Sequence, residues 1–253
     1  MSTVLETRGL NKRFGAVIAA ADIAIAIGPQ EVVGIIGANG AGKTTFINMV
    51  TGYLKPDSGA ILYRDREITA LGPRAVTRLG IHRSFQIPQI FPELSVFDNL
   101  LVALGIAAET GITFWRPLRT PALTERAEEI LERYRIDEYR DQAVGVLPQG
   151  ARKLLDIAMA MVGAPTVLLL DEPTSGISAD EKMAMMDTIM AVLAAAEVTV
   201  LFVEHDMEVV ARYARRVAAF ADGAIIADGD PDTVLGDSEV RTTVVGPELH
   251  RRG

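Results

Sequence analysis

Two neighbouring carboxylates, Asp171 and Glu172, directly follow a short apolar run in this chain. The run, from Val167 to Leu170, is bounded by turn residues and is typical of a strand that is buried on both faces. Two acids that repel each other at such a strand end indicate a site that holds a cation or moves a proton. Asp171 could hold Mg²⁺, directly or through water, and Glu172 could accept a proton from an attacking water. The alternative is that both acids form only a turn that starts the next helix.

A glycine-rich stretch, GANGAGKTT at residues 37–45, has the spacing of a loop that binds phosphate. Its glycines allow a tight turn that points successive N–H groups inward, and the next helix adds about +0.5 charge at its N-terminus. Lys43 is expected to reach the β- and γ-phosphates, and the Thr44 hydroxyl to ligate Mg²⁺. The predicted binding residues of this phosphate loop are Gly37, Asn39, Gly40, Ala41, Gly42, Lys43, Thr44 and Thr45. An ordinary glycine-rich turn is the alternative, although a predicted buried strand and a predicted helix flank the loop, as phosphate binding requires.

The elements around these two segments follow from periodicity. Residues 1–30 are predicted as strands with apolar residues at every second position, and 31–37 as a buried strand. The middle of the chain, about 88–164, has helical patterns and little strand signal. Strands and helices alternate again after it, which predicts a parallel sheet with right-handed crossovers. Further predicted strands are 60–68, 167–170, 198–203 and 217–220; predicted helices are 44–50, 73–80, 95–104, 122–135, 151–162, 179–196 and 206–215.

Composition argues against several classes of partner. The 253 residues carry a net charge of −8 and a sequence pI of about 5.0, whereas nucleic-acid binding needs a basic face. The same balance disfavours a polybasic anchor on an anionic membrane. Cysteine is absent, so disulfides, thiolate metal ligands and a cysteine nucleophile are excluded. We find no signal peptide and no stretch near the roughly 20 apolar residues of a membrane span.

The segments GANGAGKTT, LLLDEPTSG and FVEHDM, in this order and separated by a helical insertion, resemble the ATPase subunit of ABC transporters. The resemblance covers nearly the whole chain. It implies an α/β fold in one ATPase domain, 1–253: a P-loop NTPase core with a parallel sheet, an N-terminal antiparallel β subdomain and an inserted α-helical subdomain. The expected core comprises 1–87 and 165–253, and the expected helical subdomain is 88–164.

The resemblance also assigns roles to single residues. Asp171 matches the magnesium residue, Glu172 the catalytic glutamate, and His205 the histidine that contacts the γ-phosphate of ATP. Gln86 matches a glutamine that senses Mg²⁺ and the attacking water and connects to the membrane subunits. Phe14 matches the aromatic residue that stacks on adenine. Without the family, Phe14 is an ordinary core aromatic residue, and His205 a surface histidine.

Three further residues are predicted to have no direct part in the chemistry. In EHDM, Asp206 is predicted to be a helix N-cap. His82 and His250 match no motif and are expected to be solvated.

One segment departs from the family pattern. Where members usually have Leu-Ser-Gly-Gly-Gln, this chain has Leu-Pro-Gln-Gly-Ala at 147–151, the signature segment. In the family it closes over the γ-phosphate held by the opposite subunit, so Pro148, Gln149 and Gly150 are expected to contact nucleotide there. Backbone N–H donors remain, but the lost serine hydroxyl removes a hydrogen bond of roughly 1.5–3 kcal/mol. Because this chain's own half-site motifs are intact, a heterodimer with a second ATPase subunit is favoured over a homodimer.

The stretch FPELSVFDNLLVAL and the ending EHDMEVV are most similar to importer ATPases of the branched-chain amino acid type. The resemblance implies ATP and Mg²⁺ as cofactors and two polytopic membrane permease subunits as partners. A periplasmic or extracellular solute-binding protein would act indirectly. The expected location is the cytoplasmic face of the cell (inner) membrane, and no nucleic acid is expected. The ATPase does not touch the solute, so the sequence does not identify it.

Three other functions remain open at this stage. One is an ABC exporter motor for lipid or polysaccharide. Another is an ABC-type ATPase that acts on DNA or ribosomes without transport, which a single cassette and the charge of −8 disfavour. The third is a P-loop kinase or GTPase, which would not explain His205 and Gln86 and would need guanine-specific motifs that are absent.

Overall fold

A computed structural model describes residues 3–84, 90–108 and 118–245. The strands within these ranges are β1 (Leu5–Phe14), β2 (Val17–Ile27), β3 (Val32–Gly37), β4 (Ser58–Tyr63), β5 (Arg66–Glu67), β6 (Ile81–Arg83), β7 (Val167–Asp171), β8 (Thr199–Val203), β9 (Arg216–Ala221) and β10 (Ala224–Gly229). The helices are α1 (Lys43–Val50), α2 (Pro73–Arg78), α3 (Val96–Ala107), α4 (Pro121–Tyr134), α5 (Gln149–Met161), α6 (Ala179–Ala195), α7 (Met207–Tyr213), α8 (Pro231–Gly236) and α9 (Ser238–Val240).

The N-terminal strands form an antiparallel sheet in the order β2-β1-β4-β5. Strand β2 buries every second residue of its second half, with Ile23, Ile25 and Ile27 facing inward. This is the alternation that the sequence predicts. Strands β4 and β5 are joined at Arg64 and Asp65, both with positive φ, so the single predicted strand at 60–68 is a tight hairpin.

The second sheet has six strands in the order β10-β9-β3-β8-β7-β6. Its neighbours pair in parallel except β9 and β10, which pair antiparallel at one edge. The predicted parallel sheet is therefore confirmed for β7, β8, β3 and β9, while β10 was not predicted. The short strand β6 was not predicted either.

The central strands are buried on both faces, as their continuous apolar runs predict. In β7, Leu168 and Leu170 face one core cluster, and Val167 and Leu169 face the other. The first cluster packs helices α3 to α7 against one face of the sheet. The second packs the N-terminal sheet and α1 against the opposite face. Within the described residues, both faces of the central sheet are therefore covered, which leaves its strand ends for a site.

The predicted α-helices agree with the observed ones to within a few residues at each end. Helices α3, α4 and α5 lie between β6 and β7 in the chain and pack on one another. The fold class is thus confirmed: an N-terminal antiparallel sheet, a mostly parallel sheet and a helical insert. Among the described residues, no helix has the length and apolar character needed to cross a membrane.

Strand register brings the two chemical segments to one edge of the sheet. Asp171, the last residue of β7, lies beside Val203, the last residue of β8, and Val203 lies beside Ile35 of β3. The phosphate loop begins where β3 ends, and His205 follows β8. The carboxyl ends of three adjacent parallel strands therefore meet, which is where ligands bind in open α/β sheets.

The structure corrects one minor expectation. His82, in β6, is half-buried rather than fully solvated, and its Nδ1 lies 2.7 Å from the carbonyl oxygen of Ala160. The ring also lies so close to Gly163 that a Cβ there would come within 2.4 Å of it. His82 thus links the sheet edge to the end of α5. His250 lies outside the described residues.

Candidate functional site

The phosphate loop joins β3 to α1 by a tight turn. One position of this turn, Gly42, has a backbone conformation and surroundings that require glycine. Gly42 has φ +98° and precedes the first residue of α1. A Cβ on Gly42 would lie 2.6 Å from the carbonyl oxygen of Ala19 in β2. At the other end, a Cβ on Gly37 would lie 2.6 Å from the carbonyl oxygen of Phe220. Both ends of the loop are thus pressed against backbone, whereas residues 38–40 at its tip are exposed.

Of the remaining loop residues, one stabilises the turn from within, and the others are accessible to solvent. Ala41 is buried, its N–H donates to the carbonyl oxygen of Ala38 (3.1 Å), and its own carbonyl accepts from Gly223 (3.1 Å). Thr44 is exposed and Thr45 is half-buried in the first turn of α1. The Thr44 side chain can therefore be reached by an ion that arrives from solvent.

Lys43 is a buried cation inside this loop. Its Nζ donates to the carbonyl oxygens of Gly37 (2.6 Å) and Ala38 (3.0 Å), so the side chain folds back over the turn. Burial lowers the pKa of Lys43, and the charges of Glu172 and Asp171 act in the opposite direction. The ammonium group and the two carboxylates that the sequence singles out thus lie close enough to interact.

Asp171 and Glu172 occupy different environments although they are adjacent. Asp171 is buried, and its Oδ2 accepts a hydrogen bond from Nη2 of Arg83 at 2.5 Å. Glu172 is half-buried, and its Oε1 lies 2.9 Å from Nε2 of His205. Helix α6 begins only at Ala179, so the two acids do not start it. The structure thus separates one buried, cation-paired carboxylate from one that faces an exposed histidine.

The end of β8 is fixed by hydrogen bonds around Glu204. This buried carboxylate accepts from the N–H (2.8 Å) and the hydroxyl (2.6 Å) of Thr174, and from the N–H of His205 (3.1 Å). Asp206 accepts from two backbone N–H groups at the start of α7, so the predicted N-cap is confirmed. These contacts fix the backbone on both sides of His205, which orients its ring towards Glu172.

The signature segment contacts the loop that follows Glu172. Helix α5 begins at Gln149, with Pro148 as a cap that supplies no side-chain hydrogen bond. Gln149 donates from Nε2 to the carbonyl oxygen of Ser175 (3.0 Å), and its amide lies over Gly176, where a Cβ would come within 2.3 Å. Pro148 and Gln149 are exposed and Gly150 is half-buried, so all three are accessible to a second molecule.

One turn further along α5, the buried Lys153 reaches the same loop. Its Nζ donates to the main-chain carbonyl of Glu172 at 3.2 Å. Burial lowers the pKa of Lys153, while Asp156, Asp171 and other nearby carboxylates act in the opposite direction. The helix that carries the signature segment is therefore bonded directly to the backbone of the predicted base.

The predicted adenine contact lies at the tip of the β1–β2 hairpin. Phe14 is 52% exposed, and the ammonium nitrogen of Lys12 lies 5.7 Å from the centre of its ring. The core reading of Phe14 is therefore wrong, because the ring is open to solvent. Strand β2 runs from this tip to Ala19 beside Gly42, so the hairpin adjoins the phosphate loop.

The structure thus brings together the phosphate loop, Asp171, Glu172 and His205, with Phe14 on the adjoining hairpin. Gln86 lies outside the described residues. Sequence reasoning missed Arg83 and Lys153, which provide two of the buried positive charges beside the acids. The sequence indicated only that two adjacent buried carboxylates need nearby cations. It did not indicate which residues of the chain supply those cations.

Comparisons with known proteins show which family this chain is similar to. A family model described as ABC transporter matches residues 20–175. The high-affinity branched-chain amino acid transport ATP-binding protein LivG of Escherichia coli (strain K12) is 34% identical over 250 residues, which cover 96% of this chain and 98% of LivG. The corresponding protein BraF of Pseudomonas aeruginosa is 33% identical over 250 residues, with 96% and 98% covered.

A solved structure extends the likeness to the whole fold. The ADP conformation of MJ1267, an ATP-binding cassette of an ABC transporter, matches with a TM-score of 0.84 at 31% identity, and covers 95% of this chain and 97% of that one. The relatives and the solved structure cover nearly the full length of this chain, and the family model covers residues 20–175. This chain therefore belongs to the ABC transporter family and is one of its ATP-hydrolysing, ATP-binding subunits.

Proposed function

We propose that this chain drives the uptake of branched-chain amino acids or related small amides from the cytoplasmic face of the cell membrane. The observation that carries the chemistry is the 2.9 Å contact between Glu172 and His205 at the sheet edge that also holds the phosphate loop. The solute class is supported by LivG and BraF, whose names give branched-chain amino acid transport and which align over nearly their whole length.

ATP binding is assigned to the phosphate loop and to Phe14. The main-chain N–H groups of the loop and the N-terminus of α1 offer hydrogen bonds and partial positive charge to the phosphate oxygens. Lys43 is already held by carbonyl oxygens of the same loop, so its ammonium lies where a triphosphate would gain from it. The exposed ring of Phe14 offers a stacking face for adenine.

Hydrolysis is assigned to Glu172 as the base that takes a proton from the attacking water. Its carboxylate is half-buried, so it can meet a water molecule, and His205 holds one of its oxygens at 2.9 Å. The hydrogen bonds around Glu204 fix His205 in turn. His205 therefore positions the base and is available to contact the γ-phosphate, the role that the family resemblance gives it.

The oxygen ligands available here fit a magnesium ion that enters with the nucleotide. Among the described residues, no group of three or more His, Cys, Asp or Glu side chains could hold a metal alone. Mg²⁺ is usually bound by one or two protein oxygens together with substrate phosphates, and the Thr44 hydroxyl and the Asp171 carboxylate supply such oxygens. Gln86 is the third proposed ligand. When bound, the ion would neutralise charge that develops on the phosphate oxygens.

We also propose that two ATPase subunits face each other and that the second is a different chain. The signature segment is exposed and offers backbone N–H groups at the start of α5, but Pro148 replaces the serine whose hydroxyl would reach the phosphate. A homodimer would use this altered segment at both ATP sites, whereas a heterodimer would complete this chain's own site with a partner's regular segment. If the purified chain alone hydrolyses ATP as fast as the full complex, the heterodimer loses its basis.

The remaining partners follow from the transporter family. Two polytopic membrane permease subunits would dock near Gln86, between the core at 1–87 and 165–253 and the helical subdomain at 88–164. A periplasmic or extracellular solute-binding protein would deliver the solute to those subunits. ATP binding would close the two ATPase subunits, and hydrolysis followed by phosphate release would reopen them.

The proposal is tested by reconstituting the chain with its co-purified membrane subunits in liposomes. Leucine, with its solute-binding protein, should stimulate both ATP hydrolysis and the uptake of labelled leucine. Lys43→Ala should abolish both signals, and the matched control Lys55→Ala, at an exposed residue of the loop between α1 and β4, should leave both unchanged. Copurification with no membrane protein, or hydrolysis that none of the branched-chain amino acids stimulates, would contradict the importer assignment.

A further inference from the structure

The carboxylate proposed to bind magnesium is already paired with a cation of this chain. Nη2 of Arg83 donates to Oδ2 of Asp171 at 2.5 Å, and Nη1 donates to Oδ1 of Asn48 at 2.6 Å. The Arg83 and Asp171 side chains are only 9% and 8% exposed. Neither Arg83 nor Asn48 is among the residues to which the sequence motifs assign a role.

The position of Arg83 explains this contact. Arg83 is the last residue of β6 and pairs in register with Leu169 of β7, two residues before Asp171. Its long side chain follows the strand direction to the end of β7, and Asn48 approaches from α1, the helix that begins at the phosphate loop. One guanidinium group thus connects β6, the end of β7 and α1.

The guanidinium group of Arg83 and the proposed magnesium ion would compete for the carboxylate of Asp171. A buried carboxylate without a cation is costly, and Arg83 removes that cost in the protein without nucleotide. A divalent ion at the same carboxylate would lie within a few ångströms of the guanidinium, where like charges repel strongly because little water screens them. Asp171 therefore cannot stabilise both cations fully at the same time.

We propose that Arg83 occupies the carboxylate of Asp171 in the nucleotide-free protein and competes with the magnesium ion for it. Arg83 is then a positioning residue that sets how much Mg²⁺ the nucleotide complex needs. This inference rests on the proposed nucleotide and magnesium site.

The test is a magnesium titration followed by thermal unfolding rather than by hydrolysis. The full chain is held with saturating ADP, and the unfolding midpoint is recorded as Mg²⁺ is raised from an EDTA-buffered zero. In Arg83→Met, the Mg²⁺ concentration that gives half of the stabilisation should fall by on the order of tenfold, because a like charge near the ion is removed. Without nucleotide and metal, the same variant should unfold at a lower temperature than the natural chain.

Two further variants keep the test decisive. Arg83→Gln removes the charge but can still donate a hydrogen bond to Asp171, and it serves as the test variant if Arg83→Met does not fold. It should also lower the Mg²⁺ concentration that gives half of the stabilisation. Arg216→Gln is the matched control: Arg216 is also partly buried and paired, with Asp228 (2.6 Å) and Glu31 (3.1 Å), but it lies at the opposite end of β9 from the phosphate loop. It should lower stability without changing the Mg²⁺ requirement.

The possible failures are distinguishable. An unchanged or increased Mg²⁺ requirement in the Arg83 variants, with ADP still bound, overturns the competition and leaves the proposed function intact. An equal shift in Arg216→Gln also overturns it, because the effect would then come from general loss of stability. No stabilisation of the natural chain by ADP, with or without Mg²⁺, overturns the nucleotide site itself.

Discussion

Replacing Glu172 by glutamine should stop hydrolysis without disturbing the fold or the binding of ATP. The backbone of Glu172 is held by its N–H to Val203 (3.0 Å) and by Lys153 on its carbonyl (3.2 Å), and neither contact uses the carboxylate. Glutamine has the same shape and can keep a hydrogen bond to His205. The free energy of unfolding should therefore change by no more than about 1 kcal/mol, the typical effect of a point substitution.

The rate, in contrast, should fall by about 10²–10⁴, the usual contribution of a positioned general base. At about 1.36 kcal/mol for each factor of ten, this corresponds to about 2.7–5.4 kcal/mol in the activation barrier. Nucleotide affinity should stay the same or rise, because Glu172→Gln removes a negative charge from the vicinity of a triphosphate. A lower rate of hydrolysis together with retained nucleotide affinity would show that Glu172 acts in the chemical step rather than in nucleotide binding.

The assay is phosphate release by the co-purified complex at saturating MgATP, with nucleotide affinity measured separately by calorimetry. The matched control is Glu208→Gln, an exposed carboxylate in the first turn of α7, which should keep the full rate. If Glu172 and His205 act as one unit, adding His205→Ala to Glu172→Gln should cost little further rate. A Glu172→Gln enzyme within tenfold of the natural rate would show that the base is misassigned.

Three other predictions concern the groups around this base. Lys43→Ala should weaken ATP binding at least about tenfold, because a charge-assisted hydrogen bond to phosphate is worth roughly 1.5–3 kcal/mol; an unchanged calorimetric affinity would contradict the role of the phosphate loop. Lys153→Met should lower both the thermal stability and the rate of hydrolysis. Lys153→Arg keeps the charge and should retain part of that rate. If the arginine variant is no faster than the methionine variant, Lys153 contributes only packing. Asp206→Ala should cost about 1 kcal/mol of unfolding free energy at pH 7 through the lost N-cap. Burial would raise the pKa of Asp206, but the hydrogen bond from Lys182 and the backbone amides lower it overall, so the stabilisation is present at neutral pH and lost as pH falls through the folded-state pKa. Urea unfolding should therefore show the difference between the two proteins shrinking as the pH is lowered into the acidic range, and a constant difference would rule out the carboxylate as its source.

The sequence predicted the fold wherever one kind of periodicity ran over a long segment. The seven predicted α-helices are all present, as are the buried strands β3, β7, β8 and β9. The strands it missed have weak local signals. Strand β6 has only three residues, and β10 is half-buried and ends in Asp228 and Gly229, so neither shows a clear alternation. Both exist because a neighbouring strand offers backbone hydrogen bonds, which local sequence does not reveal.

For the site, the sequence predicted the residues whose spacing is fixed by local backbone geometry. Gly42 and Lys43 belong to one turn, and Asp171 and Glu172 to one strand end. Their cationic neighbours come from distant parts of the chain: Arg83 is 88 residues from Asp171, and Lys153 is 19 residues from Glu172. A local motif specifies which charges a site must hold, whereas the tertiary fold decides which side chains balance them.

The adjacent acids differ in environment because the backbone leaves the strand between them. In a continuing strand, neighbouring side chains would point to opposite faces, and one of the two would enter the apolar core. Glu172 instead has φ +48°, in the left-handed region that costs a non-glycine residue about 1 kcal/mol or more. Its N–H and carbonyl bonds to Val203 and Lys153 hold that conformation. The turn leaves Asp171 beside Arg83 and brings Glu172 to His205, so this one unfavourable backbone angle gives two identical functional groups separate roles.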